Sequence, residues 1–198
     1  MMLRKSEGGL PSGYTKLNYL EKDGNAQYIN TGIIPQPEWT YEFDFERIGH
    51  FNYLCGSDAT FNSGAINISI DLHVAGLRTV NFGKFYISSY PPKINERMII
   101  TKTPNQFIIG SKIFNIEIGT VKAKYPLVIF TTNRNGQPQV TEVFKQQYRL
   151  YGFSIKNAKA EFMMNLLPCL DKNGTPCMYD TVSKKPFYNQ GTGEFLYG

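Results

Sequence analysis

The sequence predicts an all-β protein, a two-sheet antiparallel β-sandwich of the jelly-roll type, on three observations. Apolar and polar residues alternate over long runs, the runs are broken by turn-forming residues, and no segment of comparable length keeps apolar residues at helical spacing. Period two puts one face of a strand on a core and leaves the other for solvent or a partner. Aromatic residues make up 14% of the chain, with 13 Tyr and 14 Phe against one Trp, an excess that suits pleated, half-buried surfaces. At 198 residues the chain matches one large sandwich, a fold that commonly runs to ~200 residues undivided.

Taken in order, residues 1–12 are polar and Gly-rich and read as a flexible N-terminal arm, and 13–198 read as the sandwich, with no internal repeat or linker. Tyr14 opens the first apolar segment. In the run 27–32, Tyr28 and Asn30 share a face, and Gly32 permits a turn. Trp39, Tyr41, Phe43 and Phe45 then alternate with Thr40, Glu42, Asp44 and Glu46. Ile66, Ile68, Ile70, Leu72 and Val74 alternate with Asn67, Ser69, Asp71 and His73. Further strands are predicted at 81–87, 98–101, 106–109, 113–118, 127–131, 147–155 and 161–168. Asn62-Ser63-Gly64, Pro91-Pro92, Asn105, Asn135-Gly136 and Asn173-Gly174 supply the turns between them.

The net charge is +5, but the basic residues are scattered, and the pairs Arg4-Lys5 and Lys184-Lys185 are too short for a nucleic-acid stripe, so no nucleic-acid partner is expected. No apolar run approaches the ~18 residues of a membrane span, and the first residues lack the apolar core of a signal peptide. Synthesis in a cytoplasm is therefore expected. Cys55, Cys169 and Cys177 do not define a disulfide framework, although a bridge between Cys169 and Cys177 stays open.

Three blocks carry a resemblance: LPSGYTKLNYLEKDGNAQYINTGIIP at 10–35, PLVIFTTNRNGQP at 126–138, and 150–198, which begins LYGFSIKNAKAEFMMNLLPCLDKNGTPCMYD. Together they resemble the concanavalin-like lectin/glucanase domains of phage structural proteins and bacterial surface proteins. The resemblance implies a concanavalin-like jelly roll and a non-catalytic role on a virion surface, as a decoration protein bound to capsid or fibre subunits. Such a protein would be made in the host cytoplasm and released by lysis. Related domains are usually one module among several, whereas here the module fills the chain, which favours decoration over a fibre tip. A carbohydrate-binding adhesin for host surface glycans is the alternative, and either role is compatible with a homo-oligomer.

A weaker alternative is a glycoside hydrolase, because Glu42-Phe43-Asp44-Phe45-Glu46 resembles the acid-x-acid-x-acid signature of laminarinase-type glucanases. On a strand, Glu42, Asp44 and Glu46 point to one side. A retaining glycosidase needs two carboxyls ~5.5 Å apart, while residues four apart on a strand lie ~13 Å apart, so a bend or bulge must close the gap. The plainer reading is a charged outer face, and no enzymatic activity is expected.

Candidate ligand-binding residues are Trp39, whose ring could stack on a sugar although its alternation suits a core or rim position, and Asn133, Arg134 and Asn135 in a polar hairpin loop. Leu3, Arg4 and Lys5 are candidates for docking the arm in an assembly. No metal or cofactor is expected. His50 and His73 lack Cys or carboxylate partners at zinc spacing. The run Asp171-Lys172-Asn173-Gly174 reads as a turn, since Val182 stands where a calcium loop needs Glu.

Overall fold

The computed structural model describes residues 9–22, 26–49, 53–58, 64–71, 76–90, 92–140 and 147–198. Leu3, Arg4, Lys5, His50 and His73 lie outside the described residues. The first half of the chain forms β1 (Thr15–Lys16), β2 (Leu20–Lys22), β3 (Ile29–Asn30), β4 (Thr40–Arg47), β5 (Tyr53–Ser57), β6 (Ile66–Asp71), β7 (Gly76–Asn81) and β8 (Lys84–Ile87). β9 (Glu96–Lys102), β10 (Gln106–Ile109), β11 (Lys112–Asn115), β12 (Val128–Ile129), β13 (Asn133–Arg134) and β14 (Gln137–Pro138) follow. The chain closes with β15 (Tyr148–Lys156), β16 (Phe162–Leu170), β17 (Pro176–Asp180), β18 (Lys185–Phe187) and β19 (Phe195–Tyr197).

These strands build two antiparallel sheets packed face to face, a β-sandwich. The larger runs β11-β10-β9-β4-β15-β16-β17-β18, with β1 added on β16 and β2 lying between β15 and β19. The smaller runs β3-β12-β5-β6-β7-β8, and β13 and β14 form a separate ribbon. Because β19 pairs with β2, the first and last segments of the chain are neighbours, as the end blocks predict.

Alternation decides which side chains meet. Tyr41, Phe43 and Phe45 point inward from β4 with no exposed surface and join Ile100, Leu150, Phe153, Ile155 and Leu166 of the larger sheet. Leu54, Ile66, Ile68, Leu77 and Ile129 of the smaller sheet pack against them in the same cluster. Each such side chain contributes roughly 1.5–3 kcal/mol through burial. Aromatic pairs add geometry: Phe43 and Phe153 lie 4.6 Å apart, and Phe130 stacks on Tyr148 at 4.9 Å.

A cation is also inside. Lys102 faces inward opposite Tyr41, fully buried, its Nζ 5.4 Å from the Tyr41 ring and 5.2 Å from that of Phe82, with no hydrogen-bond partner among the described residues. Burial pushes its pKa down to about 7, opposed by the charge of Glu38. Lys22 is buried too, but its Nζ donates to the carbonyl of Phe130 at 3.1 Å, and burial lowers its pKa to about 8.

One expectation needs correction. The stretch 81–87 is not one strand: Phe82 and Gly83 take φ of 49° and 97°, so the chain reverses there and Asn81 pairs with Lys84. A two-residue turn with positive φ at both centres matches strand twist, but a phenylalanine in that region is rare and hides the signal. Leu10, near the end of the stretch read as arm, packs against a small cluster of Cys169, Cys177 and Tyr179.

Candidate functional site

On β4 the residues between the core aromatics face outward, so Glu42, Asp44 and Glu46 line one side of the larger sheet. Arg97 comes from β9 and holds Asp44 bidentately, Nε to Oδ1 at 2.8 Å and Nη2 to Oδ2 at 2.7 Å. The same guanidinium lies over the Tyr151 ring, 3.9 Å from its centroid. Tyr151 donates its hydroxyl to Glu46 Oε2 at 2.6 Å.

A β-bulge puts Tyr151 there. Leu150 pairs with Phe45 and Gly152 with Asp44, leaving Tyr151 as the extra residue on β15. Without that residue the inward sets Tyr148/Leu150 and Phe153/Ile155 could not all face the core, since they are out of phase by one. The bulge restores the phase and aims a tyrosine at the outer face.

The arrangement continues toward β2. Tyr19 lies 5.6 Å from Tyr151, Arg149 sits over Tyr19 at 4.5 Å, and Arg149 Nε donates to Glu21 Oε2 at 2.9 Å. A longer contact of 3.5 Å ties Arg149 Nη1 to Glu46. Two arginines and two tyrosines thus form a ladder braced by Glu21, Asp44 and Glu46. Hydrogen bonds to those carboxylates raise the pKa of Arg97 and Arg149, and desolvation, reinforced by Glu46, pushes that of Tyr151 up to about 12. The side chains stay partly open, 54% for Arg97 and 32% for Arg149.

A groove flanks the ladder on each side. One of about 720 Å³ is lined by Asp44, Tyr90, Arg97 and Ser111, and another of about 700 Å³ by Tyr19, Glu21, Arg149 and Leu196. Flat rings beside fixed donors and acceptors can bind a polar, weakly charged surface such as a polyol or a protein rim. Among the described residues no group of three or more His, Cys, Asp or Glu is placed to hold a metal ion, and no helix is long and apolar enough to cross a membrane.

The other predicted residues lie apart from this face. Trp39 precedes β4, half-buried and packed against the core margin. Asn133 is 2% exposed and its amide donates to the Pro126 carbonyl at 3.0 Å, so it holds its loop in place. Arg134 and Asn135 are exposed at the tip of the β13/β14 ribbon, where Asn135 and Gly136 take φ of 52° and 85° and make the predicted hairpin turn. Sequence reasoning missed Tyr19, Glu21, Arg97, Arg149 and Tyr151. The one available signal was the phase break in Tyr148-Arg149-Leu150-Tyr151-Gly152-Phe153.

Fold and face together define an antiparallel β-sandwich with an aromatic, ion-paired outer surface. No protein-family model matches the chain, and no curated protein does.

Proposed function

We propose that the protein is a non-catalytic binding module that works through the outer face of its larger sheet. The observation that carries this reading is the part-open ladder of Arg97, Tyr151, Tyr19 and Arg149, a preformed surface whose rings and guanidiniums are held by carboxylates. Preformed surfaces lose little freedom on binding. By the resemblance of its end blocks to concanavalin-like domains, the module belongs on a virion surface as a decoration protein, with capsid or fibre subunits as partners. The part-open set of rings and donors also favours a second reading, adhesion to host surface glycans.

The acid triplet supports binding over hydrolysis. Asp44 has both oxygens engaged by Arg97, and Glu46 accepts from Tyr151 and Arg149, so both act as ion-paired acceptors where a glycosidase needs a proton donor. Both guanidiniums of the ladder are already paired to carboxylates, so it offers no row of free cations to a phosphate backbone, which argues against nucleic acid. Gold-labelled antibody to this chain should mark purified virions at repeating positions, and unmarked particles would remove the virion reading. A glycan array comparing the wild type with Tyr151→Ala tests the second reading: binding that the variant loses supports it, and binding that the variant retains places the glycan site elsewhere.

A further inference from the structure

Cys169 and Cys177 are in-register partners on β16 and β17, free, buried, with their sulfurs 3.5 Å apart. Residues directly opposed on antiparallel strands have Cα atoms ~4.5–5.5 Å apart, within the ~4.4–6.8 Å that a disulfide spans. Side-chain rotation alone can therefore join them. Their neighbours Leu166 and Met178 point into the main core, so the cysteines lie on the outer face of the sheet, in a satellite cluster with Tyr179. Their apolar cover comes from Leu10 and the half-buried Tyr14, whose ring meets that of Tyr179 at 5.4 Å, and Tyr188 hydrogen-bonds Tyr14 beside Cys177. Tyr14 leads into β1, a two-residue strand that pairs Lys16 with Cys169, so the sulfurs lie under a short edge segment and not under a sheet.

We propose that Cys169 and Cys177 form a thiol–disulfide exchange site for small disulfides of the glutathione class, with Cys169 attacking and Cys177 resolving. The Cys169 thiolate attacks one sulfur of the small disulfide, whose S–S bond breaks and releases one thiolate. Cys177 then gives up its proton and attacks the sulfur of Cys169 in the mixed disulfide, releasing the second. One small disulfide is reduced to two thiols, the pair is oxidised to a bridge, and the two protein protons end on the released thiols. Either thiol can donate in the shared contact, so the order rests on the backbone hydrogen bond of Tyr179 to Cys169, which helps hold that thiol down, and on the burial that helps raise Cys177. Cys55 is an internal control, buried in the main core with its thiol pushed up by desolvation.

The test equilibrates the folded full chain in glutathione buffers from reduced to oxidised, followed by acid quenching, alkylation and peptide mapping by mass spectrometry. The expected result is a Cys169–Cys177 crosslink, lighter by about 2 Da, that appears with a single midpoint while Cys55 stays alkylated, with Tm raised by roughly 5 °C. In Cys177→Ala, Cys169 should stop at the mixed disulfide, and in Cys169→Ala, Cys177 should stay free. The wild-type mapping stands even where a variant fails to fold. Free thiols at both positions in fully oxidised buffer, or a crosslink that forms only in urea, would overturn the site. A mixed disulfide on Cys177 but never on Cys169 would overturn the assigned roles.

Discussion

Arg97 grips Asp44 with two parallel hydrogen bonds and, with the same planar group, covers the ring of Tyr151 3.9 Å away. One side chain thereby links β9, β4 and the bulge of β15. Lysine has the charge but neither the fork nor the plane. Arg97→Lys is expected to weaken ligand binding about tenfold or more while lowering stability by less than ~1 kcal/mol, since half-exposed ion pairs and cation–π contacts contribute little to folding. Urea denaturation beside a binding titration checks both numbers. A stability loss above ~2 kcal/mol with binding intact would make the ladder a brace and leave the binding face elsewhere.

Glu42 shares the outward row with Asp44 and Glu46, facing Thr101 and Ser154 on the neighbouring strands. Assays of reducing-sugar release from a panel of β-glucans should show no turnover by the wild type, and Glu42→Gln should change stability by no more than ~0.5 kcal/mol. Sugar release that this variant abolishes would restore the hydrolase reading.

Phe43, one residue on, belongs to the other side of the sheet. It is fully buried against Phe153, and Phe43→Ala should cost about 3–5 kcal/mol. The contrast between adjacent residues, measured by denaturation midpoints, checks the register of β4.

Lys102 makes stability depend on pH. Its folded pKa, about 7, lies below the unfolded value of ~10.4, so between those values the unfolded chain binds more protons and stability rises with pH. Below about 7 both states are protonated and the full penalty, on the order of 3–5 kcal/mol, is present. Lys22, lowered to about 8, adds a rise of the same sign over a narrower window, from about 8 to ~10.4. Lys102→Met should raise stability at pH 7 and flatten the rise between pH 7 and 9, as followed by urea titrations at each pH. An unchanged slope would mean that the ammonium reaches solvent.

The two levels of structure were unequally legible. Tyr41, Phe43 and Phe45 alternate without interruption, so a local pattern sufficed to place β4 and its buried face, and Asn135-Gly136 announced its turn through residues that accept positive φ. The outer ladder draws on positions 19, 21, 97, 149 and 151, which no local pattern connects; only the pairing of β9, β4, β15 and β2 brings them together. Phe82 misled because its backbone conformation is imposed by the two flanking strands against its own preference. Glu42, Asp44 and Glu46 were correctly placed on one face, but their partners, which decide what the carboxylates can do, come from strands distant in the sequence.

The pairing of β19 with β2 has a mechanical consequence. Tyr197 stands opposite Leu20, so the outward ends of both strands lie at the same edge. Tension applied there from both directions would peel the hydrogen bonds apart one at a time, like a zipper, instead of shearing them together. Force applied to β2 and β19 at that edge would open this seam at low load, whereas attachment through a sheet face would spare it.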